Sequence, residues 1–284
     1  MSLLFLLFNS TTYVIILPDG TLLDFWIDTN ECDTYLLAKD GIFLTDYPRD
    51  FTKAPLPAGG RADIMVRCNT EGTFTARHFP ESDEYPTGEP LLTIESKLPP
   101  TMTEIKIAEG PTQGFTFKRP DYLVDVQEAE VDTGCNCSTK FSFGTPELSA
   151  SEIRGVNSIA FEKHKYVHSI GFGKVVERKM ATVSVHPYHQ HVYPFQISSG
   201  FDTTDSASTQ DGYWMPGDWH DTLQTNNEGT VYMKYRANVH MGKVMLHCHR
   251  LDHEDKGMMS QEYIEENGEC TCDYAFNGGE PFVI

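Results

Sequence analysis

The sequence predicts an all-β protein of two sandwich or barrel domains, and three observations carry that expectation. Short runs rich in Val, Ile, Tyr, Phe and Thr recur along the chain. Polar turn segments separate them, as at Pro18-Asp19-Gly20, Pro57-Ala58-Gly59-Gly60 and Asn226-Asn227-Glu228-Gly229. No helical pattern of useful length interrupts the series. β-Branched and aromatic side chains suit a pleated, half-buried surface, and closely spaced turn residues fold strand back upon strand. The 284 residues are enough to build two ordinary cores.

Taken in order, Leu3 to Phe8 reads as a buried strand. It is not read as a signal peptide, because no basic segment precedes it, its apolar run is short and no small-x-small site follows. Further strands are expected at Tyr13 to Leu17, Ala62 to Cys68, Ala181 to Val185, Val231 to Tyr235 and Lys243 to His247. A Pro-rich, charge-mixed stretch from Lys97 to Tyr122 has the composition of a connection between domains. The expected division is a first domain over 1–100, a linker region over 101–150 and a second domain over 151–284. No stretch approaches the roughly 18 apolar residues of a membrane span, so none is expected.

Hydrophobic residues at 39% and charged residues at 22% place the chain among soluble globular proteins. The formal charge of −19 repels phosphate backbones and argues against a nucleic-acid partner. It leaves cationic or metal-bearing ligands open, or simply keeps an exported protein soluble. There are seven cysteines. With Cys248 reserved as a metal ligand, six remain, an even number that suits disulfides in a secreted or extracytoplasmic protein. Two Cys-x-Cys pairs, Cys135/Cys137 and Cys270/Cys272, are read as disulfide partners in preference to a second metal site. Their connectivity is not legible.

Eleven histidines are present, and six of them fall in two tight motifs. One is His186-Pro187-Tyr188-His189-Gln190-His191. The other is His247-Cys248-His249-Arg250-Leu251-Asp252-His253, with Gly257-Met258-Met259 behind it. On a strand, side chains alternate between faces. His247 and His249 then point one way while Cys248 points the other, and His253 returns through a short loop to the face of Cys248. Pro187 breaks the strand after His186, so His186 can face Cys248 while His189 and His191 share the opposite face. A thiolate, two imidazoles and a weak thioether, here from Cys248, His186, His253 and Met258, make the ligand set of a blue-copper site. His164 and His168 lie in strand-like surroundings and are expected at the surface.

The run from His247 to Met259 resembles the C-terminal copper motif of the multicopper oxidases, nearest to cuprous oxidases and the bilirubin-oxidase group. His186 to His191 resembles the family's His-Pro-x-His-x-His motif, with Val192 where the family usually has Gly. Trp219-His220-Asp221-Thr222 resembles a stretch between the two motifs. There Asp221 is either an acceptor for a metal-bound imidazole or a surface carboxylate. The segment from Leu6 to Cys68 is similar to the family's middle domain. The resemblance implies two cupredoxin-like Greek-key domains, the first without copper ligands. It implies copper as cofactor, with His186, Cys248, His253 and Met258 holding type 1 copper. His189 would be a type 2 ligand, and His191, His247 and His249 type 3 ligands.

The family completes its trinuclear centre with two His-x-His motifs from an N-terminal domain, and this sequence has no such pair to spare. The expected function is the part of a multicopper oxidase in which substrate electrons enter at type 1 copper and pass by Cys248, His247 and His249 to dioxygen. The missing ligands would come from another domain or another chain. The expected partners are a small reducing substrate (a phenol, a bilin or a metal ion) and dioxygen. The alternative is a non-enzymatic type 1 copper module that carries electrons or sequesters the metal.

Overall fold

The computed structural model describes residues 11–16, 22–28, 30–68, 70–78, 88, 90–97, 120–143, 154–181, 183, 186–200, 212–225 and 229–272. The expected strand at Leu3 to Phe8, the turn at Pro18 to Gly20 and most of the Lys97 to Tyr122 connection lie outside these residues. The chain forms two compact units, Met1–Lys118 with Asp202–Asp218, and Arg119–Phe201 with Trp219–Ile284.

The first unit contains β1 (Thr11–Ile16), β2 (Leu23–Trp26), β3 (Cys32–Lys39), β4 (Ile42–Phe43), β5 (Arg49–Asp50), β6 (Lys53–Leu56), β7 (Arg61–Cys68), β8 (Gly72–His78) and β9 (Pro90–Ser96). One sheet runs β1-β7-β3-β4 with β5 also on β3, and the other runs β6-β2-β8-β9. Along β3 and β7 every second residue is buried, which gives a core of Leu36, Ile64 and Val66 with Phe25 and Leu56 from the other sheet. Cys32 and Cys68 face each other in the β3–β7 register and are joined as a disulfide. The turn expected at Pro57 to Gly60 is present. Gly59 adopts a φ of 77°, and the Gly60 amide donates to the Pro57 carbonyl at 2.9 Å.

The second unit contains β10 (Asn136–Phe143), β11 (Arg154–Val156), β12 (His168–Gly171), β13 (Val175–Ala181), β14 (Tyr188–Gln190), β15 (Phe195–Ser199), β16 (Trp219–His220), β17 (Thr222–Leu223), β18 (Val231–Arg236), β19 (Gly242–Cys248), the helical turn α1 (Leu251–Glu254) and β20 (Met259–Glu265). One sheet runs β11-β10-β13-β18-β15-β16 and the other β12-β20-β19-β14-β17. Neighbours that are far apart in sequence give the crossed, Greek-key connectivity expected of an all-β sandwich. Between the sheets lies a buried polar network. Arg178 of β13 donates to Glu262 of β20, to Tyr235 of β18 and to Thr139 of β10. Its charge is paired and hydrogen-bonded, which is what makes burial tolerable.

The structure divides the chain elsewhere than the sequence suggested. β10 lies inside 101–150 yet is a sheet strand of the second unit, burying Cys137, Thr139 and Phe141 on one face. Conversely, residues 202–218 belong to the first unit. There the Asp218 carboxylate accepts hydrogen bonds from Lys39 at 2.7 Å and from Arg49 at 2.7 and 2.8 Å. Of the strand expected over Ala181 to Val185, Ala181 closes β13 and Val183 stands in a turn, and 182, 184 and 185 lie outside the described residues.

Candidate metal centre

Strands β14, β17 and β19 and the helical turn α1 assemble the site. β14 lies beside β19 with Tyr188 opposite Cys248 and His189 opposite His247, and on its other edge His189 is opposite Thr222 of β17. Pro187 stands immediately before β14, and its carbonyl accepts from the His249 amide at 2.8 Å. After β19 the chain turns through α1, which brings His253 back onto Cys248. The loop expected there is thus one helical turn. Its closure is made by backbone. Met258 donates to the His253 carbonyl at 3.0 Å, and the Met258 carbonyl accepts from the Cys248 amide at 3.0 Å.

On one face of the β14–β19 pair, Cys248 Sγ lies 3.7 Å from Nδ1 of His186 and 3.7 Å from Nδ1 of His253. The two Nδ1 atoms are 3.1 Å apart. Cys248, His186, His253 and Met258 are all buried, and among the described residues Cys248 is the free cysteine. At most one proton can sit between the two Nδ1 atoms, so at least one of them presents a lone pair beside the sulfur. A thiol and two imidazoles aimed at one point are the donors a soft transition-metal ion requires. Burial pushes the Cys248 thiol up to about 12 and holds His186 down to about 4. The histidine is then neutral at pH 7, and a bound cation would draw the thiol to its thiolate. Phe143, 51% exposed, lies with its ring 4.9 Å from that of His186 and 5.8 Å from that of His253, and the Arg154 guanidinium covers it.

The opposite face holds the second cluster. His189, His191 and His247 offer ligand atoms within 4.8 Å of one another, and the Nε2 atoms of His191 and His247 are 3.1 Å apart. The His249 ring lies at 5.4 Å from both His189 and His247. Desolvation on burial lowers all three of His189, His191 and His247, to about 4 for His189 and His247. Second partners orient the rings. His189 Nδ1 is 2.9 Å from the Asp221 carbonyl and 2.9 Å from Thr222 Oγ1, with the Asp221 carboxylate at 3.7 Å. His247 Nδ1 is 3.0 Å from the Glu254 carboxylate and 3.1 Å from the Cys248 carbonyl. In each case Nδ1 is engaged and Nε2 faces the cluster, the usual device for fixing a ligand tautomer.

Of the residues named from the sequence, His186, Cys248 and His253 lie together on one side, and His189, His191 and His247 lie together on the other with the His249 ring beside them; Met258 is buried and tied to Cys248 and His253 through its backbone. Three others were not legible. Glu254 reaches His247 only because α1 folds it back, and its sequence signal is no more than an acid next to His253. Thr222 meets His189 only through the β14–β17 register. His168 is the third, and here the expectation fails: it is 2% exposed and lies beside Cys137 and Cys272, whereas His164 is at the surface. The period of strand β12 gave no indication of which of its faces would be covered.

A β-sandwich that brings a thiol and two imidazoles together at the end of one strand is a metal-binding domain of the cupredoxin class. Residues 133–268 match the model of the multicopper oxidase family. The matched stretch lies within the second unit, and copper is that family's cofactor. Solved structures agree on the fold. A multicopper oxidase from Pseudomonas thermotolerans superposes with a TM-score of 0.62 at 18% identity, over 86% of this chain and 52% of that one. A laccase-like multicopper oxidase from Ochrobactrum sp. gives 0.66 at 16% identity, over 90% and 56%. One from Campylobacter jejuni, described as a metallo-oxidase, gives 0.58 at 15%, over 87% and 51%. The chain thus spans about half the length of these proteins. No curated protein sequence matches it. No helix among the described residues is long and apolar enough to cross a membrane.

Proposed function

We propose that this chain is the electron-accepting part of a copper-dependent oxidase, with half of the site at which dioxygen is reduced. The observation that carries the reading is the position of Cys248. Its side chain belongs to one cluster, while the residues bonded to it on either side, His247 and His249, belong to the other. Copper bound by His186, Cys248, His253 and Met258 would supply one-electron redox chemistry, and copper at the second cluster would supply the site for dioxygen.

The remaining work is done by the chain itself. His247 and His249 are joined to Cys248 by covalent bonds, so the shortest path between the clusters is one tripeptide. Asp221, Thr222 and Glu254 hold the imidazoles of His189 and His247 in the tautomer that presents Nε2. In this reading His189 serves a type 2 ion and His191, His247 and His249 the type 3 pair. Phe143, exposed beside His186 and His253, shields the buried thiol and offers an apolar face to a small reducing substrate, a phenol, a bilin or a metal ion. The second cluster offers four imidazoles, so the reading requires further histidines from another domain or chain. The three disulfides suit a secreted or extracytoplasmic location.

The test is copper loading of the chain followed by absorption spectroscopy. An intense visible band is expected, and Cys248→Ser is expected to abolish it, because a hydroxyl cannot replace the thiolate as charge-transfer donor. A band that survives the substitution overturns the assignment. A second reading, an electron-transfer or copper-sequestering module, is favoured by the four-imidazole count. Oxygen uptake with a phenol or cuprous ion separates the two. Uptake that appears only when a domain bearing His-x-His pairs is added supports the oxidase, and blue colour with no uptake under either condition supports the module.

A further inference from the structure

The two Cys-x-Cys pairs and His168 stand apart from the histidine clusters. Cys135 and Cys137 enter β10, Cys270 and Cys272 follow β20, and they are joined as Cys135–Cys270 and Cys137–Cys272. Residues two apart in extended chain share a face, so both sulfurs of each pair address the same partner segment. Ser169 and Thr271 form an antiparallel bridge, which sets His168 across from Cys272. The ligand atoms of Cys137, His168 and Cys272 lie within 4.8 Å of one another, and all three residues are buried. His168 Nε2 is 3.2 Å from Thr139 Oγ1. The ring is held against the backbone of Cys272, and its Nδ1 completes no regular hydrogen bond. Burial first, and then the Arg178 guanidinium, hold this imidazole well below the ordinary histidine range.

A purely structural account leaves something over. One bridge already closes a loop of 135 residues, and the other, two residues along both segments, closes only a loop of a few residues within it. The second therefore restrains the unfolded chain much less than the first. A buried imidazole beside it adds no crosslink at all.

We propose that this cluster is a redox-gated metal site. When the bridges are reduced, Cys137, Cys272 and His168 take up a soft d10 cation, zinc or cuprous ion. Thiolates with one imidazole select such ions. The reductant is a dithiol. Its first thiolate attacks one sulfur of each bridge in turn, first the half-buried Cys270 of Cys135–Cys270 and then a sulfur of Cys137–Cys272, and breaks that S–S bond. Its second thiol resolves the mixed disulfide, leaving two protein thiols and an oxidised reductant, two electrons per bridge. Each thiol that binds the metal gives its proton to solvent.

The experiment uses the full-length chain carrying Cys248→Ser, so that the blue-copper thiol is absent. The protein is reduced anaerobically with a dithiol, freed of it, and titrated with cobalt(II). One cobalt per chain with a thiolate-to-cobalt charge-transfer band is expected after reduction and not before. The band is expected to vanish when Cys137→Ser and Cys272→Ser are added. His168→Ala should keep the band and weaken binding by more than the roughly 10–100-fold that loss of an outer partner costs. Displacement by zinc or by cuprous ion then tells which the site prefers. Reduced protein whose thiols titrate but which shows no band overturns the proposal, as does a band that survives the Cys137/Cys272 double change. So does a reduced chain that loses its strand signal and does not regain it with zinc.

Discussion

Val192 follows His191 with a φ of 66°, in the left-handed region that a β-branched side chain rarely adopts, and it is 49% exposed. The sequence motif resembles one in which glycine takes this place, and the backbone shows why: the chain must turn sharply to leave His191 facing the second cluster. The strain of a non-glycine residue there is about 1–2 kcal/mol, partly offset by the extra freedom glycine has when unfolded. Val192→Gly is expected to stabilise the domain by about 1 kcal/mol, a rise in Tm of about 2–4 °C. A lower Tm would show that the turn is held by contacts rather than strained. The buried histidines give a second expectation at this scale. His186, His189 and His247 are held down to about 4, chiefly by burial, against about 6.5 in an unfolded chain. Between those values the unfolded state binds more protons, so their contribution to stability is complete above pH 6.5 and is lost as the pH falls toward 4. Calorimetry of metal-free protein should show Tm falling through this window, less steeply in His186→Phe. A flat profile would mean that the rings are solvated.

At the scale of elements, the alternation of a strand does most of the work. β19 sends Cys248 to one side and His247 to the other, and the register with β14 delivers His189 to His247 without any special loop. That much was legible, because a period of two follows from backbone geometry alone. The helical turn α1 was not, since four residues carry no periodic signal, and with it went Glu254. The Arg178–Glu262 pair joins β13 to β20 with both side chains fully buried. Glu262→Ala leaves a buried guanidinium without its counter-charge and is expected to cost about 3–5 kcal/mol in denaturant unfolding, whereas replacing both partners with methionine should recover most of the loss. A double variant no more stable than Glu262→Ala would show that the network, rather than the charge pair, holds the two sheets together.

For the molecule as a whole, covalent closure is the largest single restraint. The bridges Cys135–Cys270 and Cys137–Cys272 each span 135 residues, but they span the same ones. By chain-entropy reckoning, removing either pair leaves the long loop closed and costs about 2 kcal/mol, while removing both costs about 7. Guanidinium unfolding of the two double variants and the quadruple variant tests this. Costs that simply add would mean the two bridges act independently. The same scale explains where the two units divide. β10 falls inside the 101–150 linker expected from the Pro-rich, charge-mixed stretch Lys97 to Tyr122, and 202–218 falls inside the expected second domain. Neither placement is a property of local sequence. β10 is drawn in by the partners its buried face finds in β13, and 202–218 by the carboxylate of Asp218 meeting Lys39 and Arg49.

By itself, the sequence determined the all-β class, the even complement of six bridging cysteines and the two histidine motifs with the sides of the chain on which they lie. These depend on residue type and on a spacing of one or two, and backbone geometry enforces both over short distances. Only the tertiary structure decided which cysteines are joined, that His168 is buried against one bridge, and that Glu254 and Thr222 orient the ligands. Those contacts link segments tens of residues or more apart, apart from Glu254, which a single helical turn returns to His247. Their closeness is set by sheet order and register, which no local pattern encodes. The run His247-Cys248-His249 holds both kinds of information: its alternation separates two clusters, and the strands around it supply the partners that each cluster needs.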